Sequence, residues 1–150
     1  MPLDFASPTE LQQSWKFLDG AGDPPKSAIE AHAAIEAGLP SAMLKHFRAV
    51  VDELSDSVWA DLMAVSLTQF KRLKKEEKPL PVDVGSHMVM FAVILARAED
   101  IFGDRTSALD WLTSEQMALS GRRPLDLLDT FIGAGLVERT LNQIDHGVYI

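Results

Sequence analysis

Cysteine is absent from the 150-residue sequence, which excludes disulfides, thiol nucleophiles and cysteine-based zinc sites. Long apolar runs are absent too. The longest, residues 88–96, is about half of the roughly 20 residues that a membrane-spanning helix needs, and it reads as a buried helix. The stretch Met1-Pro2-Leu3-Asp4 lacks the basic segment and following apolar run of a secretory signal, so a cytoplasmic location is expected and no membrane association. No glycine-rich phosphate loop or dinucleotide fingerprint occurs. His32, His46, His87 and His146 fall on four separate segments without a pair at metal-ligating helical spacing. Neither a metal nor a cofactor is therefore expected. Nothing assembles a nucleophile, a tuned acid or base, or a metal cluster within mutual reach, and the expected role is not enzymatic.

Positive charge is also scarce. The 14 Lys and Arg residues face 22 Asp and Glu, and the net charge of −8 argues, as an average, against a nucleic-acid partner. The distribution argues otherwise in one place. Lys71, Arg72, Lys74, Lys75 and Lys78 crowd a short segment opposed there only by Glu76 and Glu77, while acids dominate beyond residue 98. With 47% hydrophobic residues, the chain can bury a core unaided as one or two small domains.

Helix signals recur throughout. Ser7-Pro8-Thr9-Glu10 combines an N-cap serine, a proline at the first helical position and a glutamate at the third, predicting a helix to about Leu18. Residues 21–25 read as a linker. Ser27 and Glu30 open an alanine-rich helix that Gly38 and Pro40 end, and Ser41 is expected to cap the next, where Leu44, Phe47, Val51 and Leu54 form a core stripe. From residue 55 two short helices with a tight turn are expected, then a loop holding Pro79 and Pro81. Asp83 is the expected cap of a longer helix reaching Phe102. That helix is apolar nearly all round over residues 88–96, which marks it as the central element and a candidate dimer contact. Gly103, Gly121, Gly133 and Gly135 punctuate further short helices, and no run alternates with period two. The expected fold is all-α, divided into an N-terminal helix and linker (1–26), a helix-turn-helix segment (27–82), and a long central helix with a small helical domain (83–150).

Within residues 56–75, Trp59, Met63, Val65, Phe70 and Leu73 stand where two helices crossing at a steep angle bury them, and Ala60 permits close approach. This pattern resembles the helix-turn-helix of Xre and Cro-like repressors, with residues 67–75 as the recognition helix. Ala64 stands at the turn position where glycine is usual, and is expected to take a positive φ. The resemblance puts Ser66, Thr68, Gln69, Lys71, Arg72 and Lys75 on the outward face as candidate DNA contacts. Thr68, Gln69 and Arg72 suit base edges; Lys71, Lys74 and Lys75 suit phosphates. A solvated charged face is the alternative.

Four blocks follow in order: Phe102-Gly103-Asp104, Ala108-Leu109-Asp110-Trp111-Leu112, Gly121-Arg122-Arg123-Pro124-Leu125-Asp126-Leu127-Leu128, and Gly133 with Val137, Leu141 and Ile144 before His146-Gly147-Val148. Their order and spacing resemble the C-terminal toxin-binding domain of Xre/ParS antitoxins. The resemblance implies an antitoxin of a type II toxin-antitoxin system that blocks a RES-domain, NAD-consuming toxin, represses its own operon and works as a homodimer within a larger complex. It also makes the chain end a candidate toxin contact: His146, Gly147, Val148, Tyr149 and Ile150, with Arg122 and Arg123 as secondary contacts. Alternatives stay open at each point. Val148 could pack back on its own helix, the two arginines could serve solubility alone, and the chain could be a transcriptional regulator without a toxin partner.

Overall fold

The computed structural model describes residues 7–18 and 23–147. Among them all regular structure is helical, with α1 (Pro8–Trp15), α2 (Ala28–Ala37), α3 (Ser41–Val50), α4 (Asp56–Leu62), α5 (Leu67–Lys75), α6 (Val82–Phe102), α7 (Arg105–Leu112) and α8 (Phe131–Asp145). Two 3-10 turns, Met117–Leu119 and Pro124–Leu127, join α7 to α8. The all-α expectation holds.

The caps explain where most helices begin, and two of them differ from expectation. Ser7 and Glu10 form the reciprocal capping box, with Ser7 Oγ accepting from the Glu10 amide at 3.2 Å and Glu10 accepting from the Ser7 amide at 3.3 Å. Helix α1 stops at Trp15, and a turn continues to Leu18. At α2 only half a box forms: Ser27 accepts from the Glu30 amide, but the Glu30 carboxylate turns to the Lys26 amide at 2.7 Å. Ser41 does not cap α3. The preset φ of Pro40 makes it the residue before the helix, so Ser41 becomes the first helical residue and its hydroxyl donates to the Glu76 carbonyl at 2.8 Å, closing the end of α5. Asp83 is likewise displaced by Pro81 from the cap of α6, and lies in the first turn, where its charge still favours the helix N-terminus.

Helix α6 is the axis of the molecule. Helices α1, α2, α4, α7 and α8 pack on it, and Met88, Val89, Phe91, Ala92, Val93, Ile94 and Leu95 are all buried against the chain's own elements. The dimer contact expected at residues 88–96 is corrected by this geometry, since side chains already enclosed by one protomer have no surface to offer a second. An aromatic cluster continues the core toward α5. Phe47 meets Phe17, Trp59 and Phe91 at ring separations of 5.4, 4.8 and 5.3 Å, and Trp59 stacks on Phe70 at 6.4 Å. One connected core takes in buried apolar residues from Trp15 to Leu141.

Two arginines fasten the ends of the chain across this core. Arg97 on α6 donates to Glu10 on α1 at 2.7 Å and to Asn142 on α8. Arg105, opening α7, donates to the Val50 carbonyl at the end of α3 at 2.8 Å and lies over the Phe17 ring. Phe102 and Trp111 are half-buried and pair with each other at 5.6 Å on the flank of the α6–α7 corner.

Candidate functional site

Helices α4 and α5 are joined by a tight turn in which Ala64 takes φ 58°, the left-handed conformation expected of it. Trp59, Met63 and Phe70 are fully enclosed, with Val65 and Leu73 half-buried behind them. Because an L-residue pays about 1–2 kcal/mol in left-handed conformation, and glycine returns part of that through a more disordered unfolded chain, Ala64→Gly should stabilise the fold by about 0.5–1 kcal/mol. Urea denaturation measures this, and a lowered midpoint would contradict it.

Helix α5 sorts its polar residues by angle. At about 100° per residue, Thr68, Lys71, Arg72 and Lys75 share an arc of roughly 100°, and all four are exposed. Gln69 and Lys74 lie at the two borders of that arc and are half-buried. Ser66 is exposed, but its hydroxyl is occupied as the cap of α5, accepting from the Gln69 amide at 3.1 Å. Lys74 is no free phosphate contact. Its ammonium binds Asp56 at 3.2 Å and sits over the Phe70 ring at 5.0 Å. Arg48 donates to the same carboxylate at 2.7 Å, and these two cations, Arg48 foremost, hold Asp56 below its ordinary carboxylate range against the opposing cost of burial.

The two borders of α5 face different surroundings. On the Gln69 side a cleft of about 550 Å³ separates the α4–α5 turn from the Pro124–Leu127 turn, and Asp61, Asp126 and Asp129 share its lining with Ser66, Gln69 and Arg123. On the Lys74 side a groove of about 670 Å³ runs between α5 and α3. Two candidate DNA contacts, Ser66 and Gln69, thus share a cleft with one candidate toxin contact, Arg123. Sequence reading kept the two sets on separate segments and had no signal for this meeting.

The remaining candidate residues lie around α8. Arg122 and Arg123 are exposed on a turn that Ser120 and Gly121, both at positive φ, allow to fold back so that the Gln116 amide reaches the Arg122 carbonyl at 3.1 Å. Arg123 forks onto Asp126 with two 2.8 Å hydrogen bonds, which lower the Asp126 carboxyl and raise the guanidinium. His146 ends α8, its Nδ1 2.7 Å from the Asn142 carbonyl, and Gly147 follows at φ 73°. Val148, Tyr149 and Ile150 lie outside the described residues. A feature that sequence reading missed stands at the other end of this helix, about 22 Å away by helical rise. Phe131 and Ile132 are 67% and 76% exposed, and nearby in sequence Leu136 and Met117 are 43% and 89% exposed. The signal was available in Phe131-Ile132 directly after the Thr130 cap, since the first turn of a helix rarely buries both neighbours.

Comparison with known proteins agrees with this architecture. Residues 97–147 match the family described as the antitoxin Xre/MbcA/ParS C-terminal toxin-binding domain. The chain is 25% identical over 158 residues to a protein of Sphingobium sp. named Prs ADP-ribosylating antitoxin, covering 94% of this chain and 99% of that one. It is 34% identical over 83 residues to a Pseudomonas putida protein named Antitoxin Xre, covering 55% of this chain and 52% of that one. An all-helical chain with this domain in its C-terminal third is similar to the antitoxin members of toxin-antitoxin pairs. The likeness to the Xre/ParS-type antitoxins is carried by residues 97–147. No described helix is long and apolar enough to cross a membrane.

Proposed function

We propose that this antitoxin blocks a RES-type, NAD-consuming toxin by stoichiometric binding in the cytoplasm, and that as a homodimer it represses its own operon through α4 and α5. The exposed apolar patch inside the toxin-binding domain carries the first half of this reading. Large side chains such as Phe131 and Ile132 are left in water at a cost of about 1.5–3 kcal/mol each when unburied, and monomeric proteins seldom keep such residues adjacent without a partner. The Sphingobium relative's name couples an antitoxin with ADP-ribosylation, a reaction that consumes NAD, which supports the chemistry assigned to the toxin. The exposed arc of Thr68, Lys71, Arg72 and Lys75 supports the second half.

In this reading the patch docks the toxin and the chain end obstructs its active site. Co-expression with a RES-type toxin tests both. Phe131→Asp with Ile132→Asp should release the toxin, because central apolar contacts of an interface each contribute roughly 2 kcal/mol or more. Growth arrest and falling cellular NAD should follow, with the antitoxin still helical by circular dichroism. Removing Val148, Tyr149 and Ile150 should act differently, leaving the complex able to co-purify while NAD consumption resumes. Full protection by the doubly charged variant would remove the patch from the interface; full protection by the truncated chain would remove the tail.

A further inference from the structure

The α3–α5 groove concentrates charge against the trend of the chain. Lys45 and Arg48 on α3 face Lys71, Lys74 and Lys75 on α5 across about 670 Å³, with Ala49 exposed between them and Asp56 the one carboxylate in the lining. Five cations meet one anion here in a protein whose net charge is −8. The single carboxylate is shared by Arg48 and Lys74, so it fixes those two side chains in place without cancelling both charges. Among the described residues no carboxylate pairs with Lys45, Lys71 or Lys75, and all three are exposed.

We infer that this groove is a binding site for the sugar-phosphate backbone of duplex DNA, in which Lys45 of α3 is a contact and Asp56 a strap that holds Arg48 and Lys74 in the wall. The inference rests on the DNA reading of α5 and extends it to a helix outside the recognition pair. Three observations favour DNA over an acidic protein. The groove is continuous with the exposed arc of α5, since Lys71 and Lys75 belong to both. The opposite border of α5 is closed to phosphates by Asp61, Asp126 and Asp129 in the neighbouring cleft, so a polyanion laid on the arc is repelled from one side and drawn to the other. Finally, cations on two facing walls match a strand that presents charge at regular short intervals. This also gives the N-terminal part of the chain a task, because α3 supplies one wall.

The test measures binding of the purified full-length chain to a duplex from upstream of its own gene and to a scrambled duplex of equal length, by fluorescence anisotropy across a salt series. Lys45→Gln should weaken both duplexes alike, roughly fivefold at about 0.15 M salt, and flatten the slope of log affinity against log salt by about 0.9, the signature of one lost phosphate contact. Ala49→Glu, which sets a carboxylate in the groove, should weaken both further. Arg72→Ala serves as the contrast, reducing preference for the upstream duplex over the scrambled one. Lys45 and Ala49 are exposed, so unchanged circular dichroism melts are expected for both variants. An unaltered affinity and slope in Lys45→Gln, with the parent chain binding normally, overturns the groove and spares the reading of α5. Failure of the parent chain to bind either duplex even at low salt overturns both. Loss of toxin co-purification by Ala49→Glu, with duplex binding intact, makes the groove a protein surface and overturns the inference.

Discussion

Replacing Gly133 by alanine destabilises the fold by about 3 kcal/mol or more, although the residue lies inside a helix. Intrinsic propensity predicts the opposite sign, since alanine is favoured over glycine in a helix interior by about 0.8–1.0 kcal/mol. The local geometry overrides it. A Cβ at position 133 would collide with the Leu127 carbonyl oxygen and stand 2.9 Å from the carbon that bears it. The obstacle is backbone, and it is anchored on both sides: Leu125, Leu127 and Leu128 are buried, and Thr130 caps α8 by accepting from the Gly133 amide at 3.0 Å. Overpacking a site with room to relax costs about 1–3 kcal/mol, and this site lacks that room. The expected relaxation is a shift of α8 away from the Pro124–Leu127 turn, which would carry Phe131 and Ile132 with it. Urea denaturation should show a lowered midpoint, and toxin neutralisation should fall in parallel. A midpoint raised by the amount that propensity alone predicts would show that the turn yields freely.

The contrast between Gly133 and Ala64 marks what could be read from the sequence. Ala64 was legible because a helix-turn-helix needs one residue at positive φ at a fixed place, and its identity there stated the strain in advance. Gly133 read only as punctuation, because the demand for a missing side chain comes from Leu127, which no periodicity ties to it. The same division runs through the caps. Ser7 makes the local bond read from its position, whereas Ser66, read as a DNA contact, is occupied as a cap, accepting from the Gln69 amide. Ser41 has a cap-like sequence context but serves Glu76, thirty-five residues away, because Pro40 takes its place. Surface sites divide likewise. The outward arc of α5 follows from helical spacing, whereas the α3–α5 groove and the cleft joining Gln69 to Arg123 depend on tertiary approach.

A second substitution tests whether the chain is one cooperative unit. Trp59→Ala should cost about 3–5 kcal/mol, the range for deleting a large buried aromatic side chain. Trp59 is fully buried, packs edge-on against Phe47 and Phe91 at 4.8 and 5.3 Å, and donates its indole Nε1–H to the Val51 carbonyl at 3.3 Å. Truncation therefore opens a cavity and strands a buried acceptor together. Trp59→Phe separates the two effects: it keeps much of the ring contact and loses the hydrogen bond, so a smaller loss of about 1–2 kcal/mol is expected. Against a total stability of about 5–15 kcal/mol for a domain of this kind, a loss of this size removes most of the margin at the lower end of that range. The sequence suggests a boundary near residue 82, with the toxin-binding part beyond it. The core does not stop there, because Phe91 of α6 completes the cluster around Trp59 while the same helix is the floor for α7 and α8. Unfolding of Trp59→Ala should accordingly be a single transition at which duplex binding and toxin neutralisation are lost together. A variant that no longer binds duplex but still protects cells from the toxin would mean that α6, α7 and α8 hold their structure without α4.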